Sequence, residues 1–549
     1  MESFSSAGET AIRAITSFPA LSSVVALFLA VLVYQSCVKT RGPTPALPVV
    51  GKPGSHITKD VILEGSRKYP DTPFILPMSP PIVVLPIGIQ DEVRNLPESR
   101  VSFTKEHQRN FFAQYTGIGD HRPEMIKAIR IDLTRHIAST LPALQEEVRF
   151  GFDKEFGDCK EWSPFPVYLK VLRVVALMNG RIFVGRPLSR EEEWIQSTIS
   201  YTIDCVKARN AIREHPVWKR RWITSSLPEI AKLSHHRTRG GEMLEPIMKA
   251  QLSKPSFKEK LHNPETGDEE GNFIEWILKY TPDELRNDPE NLAVNQMVLS
   301  FAAIHTSSMA TTHAILDLAA RREYIQPLRD EIDEIRATDG EEMDSDGFVR
   351  LKKESINKLR KLDSFMKESQ RFSPPIYSMS MNGNRLVPLL TLQASGTRIC
   401  TSAIHLSTGH TLPKGTRICF PSFAVQTDPR TTTFSPEYNP PGYTPPDQFD
   451  GMRFFKLRNM PGKESRHQFA TAGPESLTFG YGNHTCPGRF FASNEIKIIL
   501  VELLMNWDFR LKGDVELKGG AEKRPPNVEV DLVITPNPMA MMEFKRRKA

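Results

Sequence analysis

The residues best placed to do chemistry form one short run, Phe479-Gly480-Tyr481-Gly482-Asn483-His484-Thr485-Cys486-Pro487-Gly488-Arg489. Gly480, Gly482 and Gly488 permit tight backbone turns and close approach to a flat ligand. Pro487 suits the first turn of a helix, which places Cys486 at a helix amino terminus. There the dipole and nearby amides favour thiolate over thiol, and the thiolate is the form that binds metal. For a lone cysteine the plainer reading is a buried side chain in a glycine-rich turn. The other five, Cys37, Cys159, Cys205, Cys400 and Cys419, are scattered without a C-x-x-C pair and read as small buried hydrophobes. Such usage fits a reducing, cytosol-facing environment.

Two further groups stand out. Glu368-Ser369-Gln370-Arg371 sets Glu and Arg three apart on one helical face. By itself such a pair is usually solvated. Ala302-Ala303-Ile304-His305-Thr306-Ser307 puts a polar patch in the middle of a long helix. His305 reads either as a proton carrier near neutral pH or as a satisfied core residue.

The first run resembles the haem-binding loop of cytochrome P450 monooxygenases, Phe-x-x-Gly-x-(Arg/His)-x-Cys-x-Gly, at every fixed position. The resemblance implies that Cys486 is the axial haem iron ligand, that Phe479 and Gly480 shape the loop, and that His484 pairs with a haem propionate. A thiolate ligand pushes electron density onto the iron and favours O–O cleavage. It also implies that Glu368, Arg371 and Arg453, the last within Phe449-Asp450-Gly451-Met452-Arg453-Phe454, form a structural triad. Thr306 matches the residue that hydrogen-bonds bound oxygen. Ala303 and His305 replace the usual Gly and acid, as in fungal terpenoid and diterpenoid oxidases, and the helix is expected to open locally there. With the family come haem b, O2, NADPH electrons through a separate cytochrome P450 reductase, cytochrome b5 as a further partner, and a small apolar substrate. The expected activity is hydroxylation or further oxidation of a terpenoid or meroterpenoid of fungal secondary metabolism. Two alternatives remain: a haem-thiolate isomerase or dehydratase working without O2, against which the retained Thr306 argues, and a non-enzymatic haem sensor.

The elements that must position these residues follow from pattern. Charged residues make up 25% of the 549-residue chain and hydrophobic residues 39%, an ordinary globular balance. The net charge of +6 comes without a long basic run, so nucleic acid is not an expected partner. No charge lies between Arg13 and Lys39, and residues 18–38 are just long enough to cross a bilayer as a helix. The expected layout is a lumenal tail (1–17), a single transmembrane anchor (18–38), a Pro-rich linker (39–54) and a haem-thiolate catalytic domain (55–549). Positive charge after the anchor puts that domain on the cytosolic side, at the endoplasmic reticulum membrane. The fold class is mainly α with smaller β-sheets, the cytochrome P450 fold.

Within the domain, helices dominate from about 122 to 330. Asp288 caps the longest, with Pro289 and Glu290 in its first turn. A second helix is predicted over 354–372, and the last clear one follows Cys486, with a core face of Phe490, Phe491, Ile498, Ile499 and Leu503. Helix 192–212 is expected to shape the substrate pocket. The family's Trp-x-x-x-Arg is missing, leaving His121, Lys127 or Arg130 for a propionate. Residues 386–400 read as extra sequence between strands, His235-His236 as a loop pair, and Trp218-Lys219-Arg220-Arg221-Trp222 as a lipid-facing or solvated turn. Lys545-Arg546-Arg547-Lys548 reads as a solvated tail.

Overall fold

The computed structural model describes residues 45–547 except 55–56, 258–271, 344–348, 375–379, 383–384, 388–394, 431–439 and 531–532. Of the first 44 residues it describes only Ser23, Ala26 and Leu27. The expected lumenal tail and membrane anchor therefore lie outside the described residues apart from these three. Among the described residues no helix is long and apolar enough to cross a membrane.

The architecture is mainly helical with small sheets, as the sequence implies. The helices that matter for the site are α1 (Phe103–Phe111), α2 (Ile137–Phe156), α3 (Val167–Phe183), α4 (Glu192–Glu214), α5 (Val217–Ile223), α6 (Pro228–Leu252), α7 (Pro289–Ala320), α8 (Arg360–Phe372) and α9 (Arg489–Asn506). Asp288 caps α7 as expected, its carboxylate accepting from the amides of Glu290 at 2.9 Å and Asn291 at 3.2 Å. α7 stays α-helical for all 32 residues, so the expected local opening near Thr306 is absent. Its buried residues include Leu292, Met297, Ile304, Met309 and Leu316, packed in one large core with α2, α3 and α9.

One sheet runs β1 (Phe74–Leu76), β2 (Ile82–Val84), β6 (Arg417–Phe420), β5 (Ser395–Cys400) and β3 (Val101–Ser102) in spatial order. β6 is parallel to β2, and the other pairs are antiparallel. A second sheet places β8 (Met541–Arg546) between β7 (Trp507–Leu511) and β4 (Ser163–Pro166).

Several sequence expectations are corrected here. Residues 395–400 are not an insertion but an inner strand of the first sheet, with Ile399 facing Arg417 and Ser102 in register; residues 388–394 lie outside the described set. The helix predicted over 354–372 breaks at Leu359 into Lys353–Lys358 and α8. His235 and His236 lie inside α6, not in a loop. His236 joins α6 to α4, its ring nitrogens meeting Asp204 Oδ2 at 3.0 Å and Ser197 Oγ at 2.8 Å. On α9 the expected core face holds except at Phe490, which is 37% exposed beneath the Arg489 guanidinium. The terminal basic run is not wholly a tail, since Lys545 and Arg546 belong to β8.

Candidate functional site

The Cys486 loop is built by two left-handed glycines. Gly480 and Gly482 take φ of 73° and 80°, a region that penalises side chains. At Gly480 a Cβ would meet the His484 carbonyl at 3.1 Å. The resulting turn closes with the Cys486 amide donating to the Phe479 carbonyl at 2.7 Å, and α9 begins three residues after Cys486. The Phe479 ring packs edge-on against Phe469 at 5.5 Å. As expected, amides of Gly488 and Arg489 address the Cys486 sulfur. The net effect differs from the expected thiolate bias, however. Burial pushes the thiol up, and those amides with the Arg489 guanidinium offset it only in part. A metal at sulfur is what deprotonates such a group.

Glu368, Arg371 and Arg453 come together as the resemblance implies, and all three are buried. Arg371 grips Glu368 through two bonds, Nη2 to Oε1 at 2.6 Å and Nε to Oε2 at 2.8 Å. Arg453 Nε adds a third at 3.3 Å, and the Asp450 amide a fourth at 2.8 Å. The remaining guanidinium hydrogens cap main-chain carbonyls. Arg371 serves Gln426, Pro446 and Gln448, and Arg453 serves Thr444, Pro445 and Gln448. One carboxylate between two arginines, Arg371 with five hydrogen bonds and Arg453 with four, meets the condition under which buried charge is tolerated.

The other end of α8 has a second grip that sequence reasoning missed. Asp363 accepts from Arg458 at 3.2 Å and from the Phe469 amide at 2.8 Å, and pairs with Lys497 of α9 at 2.6 Å. Lys367, lowered to about 8 by burial, donates to the carbonyls of Gln468 and Thr471. α8 thus fixes residues 444–450 with one end and 468–471 with the other. The second segment carries Phe469, against which Phe479 rests.

Near the loop is a basic corner. His484 meets Glu98 Oε1 at 2.9 Å and stacks on Phe103. Burial, then Arg398, Arg130 and His107, lower its pKa, with Glu98 opposing. Arg398 comes from β5, buried, donating to the carbonyls of Val93 and Arg94. Arg130 rides a π-helical turn, Ala128–Leu133, and donates to the Asn483 carbonyl at 3.3 Å. Of the three candidates for the missing arginine, Arg130 alone is brought to the loop by a bond; Lys127 lies over the Tyr280 ring. Burial works to raise the Glu98 carboxyl, but bonds from Ser102 and Phe103 and the His484 charge hold it below its usual range.

This corner is the test of whether haem fits. It stabilises a carboxylate, the group that haem propionates carry, and it adjoins the half-buried Cys486. Among the described residues no three His, Cys, Asp or Glu gather as a metal site. A metal on Cys486 must therefore bring most of its other ligands, as iron in a porphyrin does. The residues present fit the group.

α7 carries one accessible stripe. Through its buried middle, Ala302, Ala303, Thr306 and Ala310 keep solvent-accessible surface. That spacing is one helical stripe. Thr306 Oγ1 donates to the Ala302 carbonyl at 2.7 Å, which leaves its lone pairs for a donor in the accessible space. His305 points off the stripe. It is 3% exposed, its Nε2 meets the Ile199 carbonyl of α4 at 3.1 Å, and its Nδ1 meets the Tyr168 hydroxyl of α3 at 3.2 Å. The carbonyl can only accept, so Nε2 carries the proton and Tyr168 donates to Nδ1. Burial lowers the ring to about 4. The proton-carrier expectation is corrected: His305 is a neutral bridge between helices. A different titratable group borders the stripe. Glu495 of α9, fully buried, is raised by burial to about 8 and hydrogen-bonded to Ser307 and to Asn179 Nδ2 at 2.8 Å. Its position on the last helix gave no sequence signal of that contact.

Comparison with known proteins agrees with this geometry. Residues 248–539 match the sequence model of the family described as Cytochrome P450. The chain is 72% identical over 537 residues to "Cytochrome P450 monooxygenase ascG" of Acremonium egyptiacum, covering 97% of each. It is 36% identical to cytochrome P450 monooxygenase 3 of Gibberella fujikuroi, covering 98% of this chain and 97% of that one. It is 39% identical to cytochrome P450 monooxygenase BOA7 of Botryotinia fuckeliana, covering 91% and 90%. Among solved structures, retinoic-acid-bound cyanobacterial CYP120A1 superimposes with a TM-score of 0.58 at 16% identity, covering 92% of this chain and 100% of that one, which speaks to the fold.

Proposed function

The chain belongs to the cytochrome P450 family of monooxygenases, and from that premise we propose that it oxidises a terpenoid or meroterpenoid intermediate of fungal secondary metabolism. The observations that carry this reading are a half-buried, amide-addressed Cys486 and an accessible stripe on α7 that includes Thr306. Haem b held by Cys486 supplies the oxygen-activating chemistry, with electrons from NADPH through a separate reductase and cytochrome b5 as an auxiliary donor.

This chain's own residues supply the setting. His484, Arg130 and Arg398 neutralise the propionates. Glu368, Arg371, Arg453, Asp363 and Lys367 hold the segments that present Cys486. Ala302, Ala303 and Ala310 leave room for substrate along α7. Thr306 holds a proton-bearing partner at its hydroxyl oxygen. The apolar walls exclude water, which strengthens each polar contact inside.

The cellular setting is part of the proposal. A helix over residues 18–38 anchors the chain in the endoplasmic reticulum membrane with the catalytic domain in the cytosol. On α5, Trp218 and Trp222 are 56% and 69% exposed beside Lys219 and Arg221, a composition suited to the lipid interface.

Feeding terpenoid intermediates to yeast that co-expresses the full chain and a reductase tests the reading. Oxygenated product that requires NADPH and O2 supports it. Product formed from a substrate peroxide without NADPH contradicts the monooxygenase mechanism, and absence of product from every terpenoid contradicts the substrate class.

A further inference from the structure

Arginines from separate segments converge near the end of α4. Arg109 comes from α1, Arg213 from the last turn of α4, and Arg417 from the start of β6. Two of them share one carboxylate. Arg417 Nε donates to Glu106 Oε1 at 2.7 Å, and Arg109 reaches Glu106 Oε2 from Nε at 3.2 Å and from Nη2 at 3.1 Å. Arg213 Nη2 instead donates to the neutral Asn110 Oδ1 at 3.2 Å. The strongest charges acting on Arg213 are the repulsions of Arg417, Arg109 and Arg220, followed by the attraction of Glu106. Arg220 itself caps the carbonyls of Ile212, Arg213 and His215 and lies over Phe112. Just before Arg213 on the same helix, Arg209 is fully buried over the Phe111 ring.

This excess of positive charge is costly where it stands. Burial, then repulsion from the neighbouring guanidiniums, draws Arg213 down to about 10. Burial, then Arg213, draws Arg209 down to about 9. Yet the site is not sealed. The Arg109 side chain keeps 38% of its accessible surface, against 3% for Glu106 and 8% for Arg417. An enveloped but accessible surplus of guanidinium is where an incoming anion gains most, because charge-assisted, forked hydrogen bonds replace like-charge repulsion.

The cluster also reaches α7 through one ring contact. Phe111, the last residue of α1, packs edge-on against Phe301 at 5.6 Å. Phe301 lies just over one turn before Thr306 on α7. The arginines and the middle of α7 are thus joined through one ring pair, α1 on α7.

We propose that Arg109 and Arg213 bind an anionic group of the substrate, a carboxylate or an acidic phenolate, at the end remote from the carbon that is oxidised. Arg417, held by Glu106, orients the pair by repulsion and shape. The assignment rests on the monooxygenase reading and narrows its substrate to apolar molecules with one acidic end.

Matched pairs that differ only in charge test it: farnesoic acid with methyl farnesoate, and lauric acid with methyl laurate. Binding to the haem-loaded full chain is read by equilibrium dialysis and by Soret titration. In at least one pair the acid should bind roughly tenfold tighter than the ester, as one charge-assisted contact provides. Arg213→Gln and Arg109→Gln should abolish that ratio while ester affinity and haem content hold, and Arg213→Lys should keep part of it. Equal binding of acid and ester in both pairs, or no binding by any of the four, would overturn the proposal. So would Arg variants that weaken acid and ester alike, the signature of a structural role. Phosphatidylserine vesicles separate a lipid source: if the variants lose vesicle binding but keep the acid–ester ratio, the cluster reads lipid headgroups and the substrate assignment fails. A persistent acid preference without NADPH- and O2-dependent product would instead count against the monooxygenase reading.

Discussion

The Nε2–H of His305 donates across 3.1 Å to the main-chain carbonyl of Ile199, tying the middle of α7 to α4. Tyr168 fixes the other ring nitrogen from α3. A residue in the position of a proton-carrying acid is thereby turned into a three-helix fastening. Its low pKa gives a signed expectation. An unfolded His305 takes up a proton near 6.5, and the folded one resists until about 4. Between those values the unfolded state binds more protons, so stability rises with pH across that window and is lost as pH falls. The effect is on the order of 3 kcal/mol. Denaturant midpoints from about pH 4 to 7 should show a steeper slope in the native chain than in His305→Gln, and equal slopes would refute the buried bridge.

Glu495 predicts the opposite slope. Burial raises its folded pKa to about 8 from 4.5. Between those values the folded state holds the extra proton, so this residue's contribution to stability falls as pH rises, by roughly 5 kcal/mol at most. Glu495→Gln should match the native chain near pH 5 and exceed it near pH 8 in thermal or chemical unfolding. An amide variant less stable at pH 8 would show that the carboxylate is charged and paired.

Arg453→Ala strips a buried partner from Glu368 and removes one donor each from the carbonyls of Thr444, Pro445 and Gln448. The cost should be about 3–5 kcal/mol, seen as lost haem incorporation rather than as slower turnover. Arg453→Lys keeps charge but not the fork, and should fall between. Native haem content in Arg453→Ala would contradict the triad's structural role.

Thr306→Ala should lower product formed per NADPH consumed roughly tenfold or more, with NADPH oxidation continuing and peroxide accumulating. Thr306→Ser should retain most coupling. Equal product yield in the alanine variant would remove Thr306 from proton handling.

What the sequence made legible and what it hid divide along local and distant contacts. The Cys486 loop was readable because its chemistry lies within one run, where glycine spacing and a helix start are local properties. The α7 cap was readable for the same reason. Arg453 was readable only through family resemblance, since nothing near it in sequence reveals Glu368. Arg398 was hidden because it sits in a strand that looked like surplus sequence; strand pairing with β3 and β6 is set by distant partners. His305 stayed between two readings because burial, which favours its neutral form, is a tertiary quantity. Asp363, Lys367 and Glu495 have no signature beyond ordinary helix charge, and the arginine cluster gathers α1, α4 and β6 from three parts of the chain.

The most direct test of the account is the spectrum of Cys486→Ala. α9 begins beyond this residue and Glu368, Arg371 and Arg453 do not touch it, so the variant should fold, with native helical circular dichroism. It should bind haem weakly and lack the thiolate-ligated Soret band of the reduced, CO-bound protein. A Cys486→Ala protein that binds haem with an unchanged spectrum would contradict iron ligation by Cys486 and everything built on it.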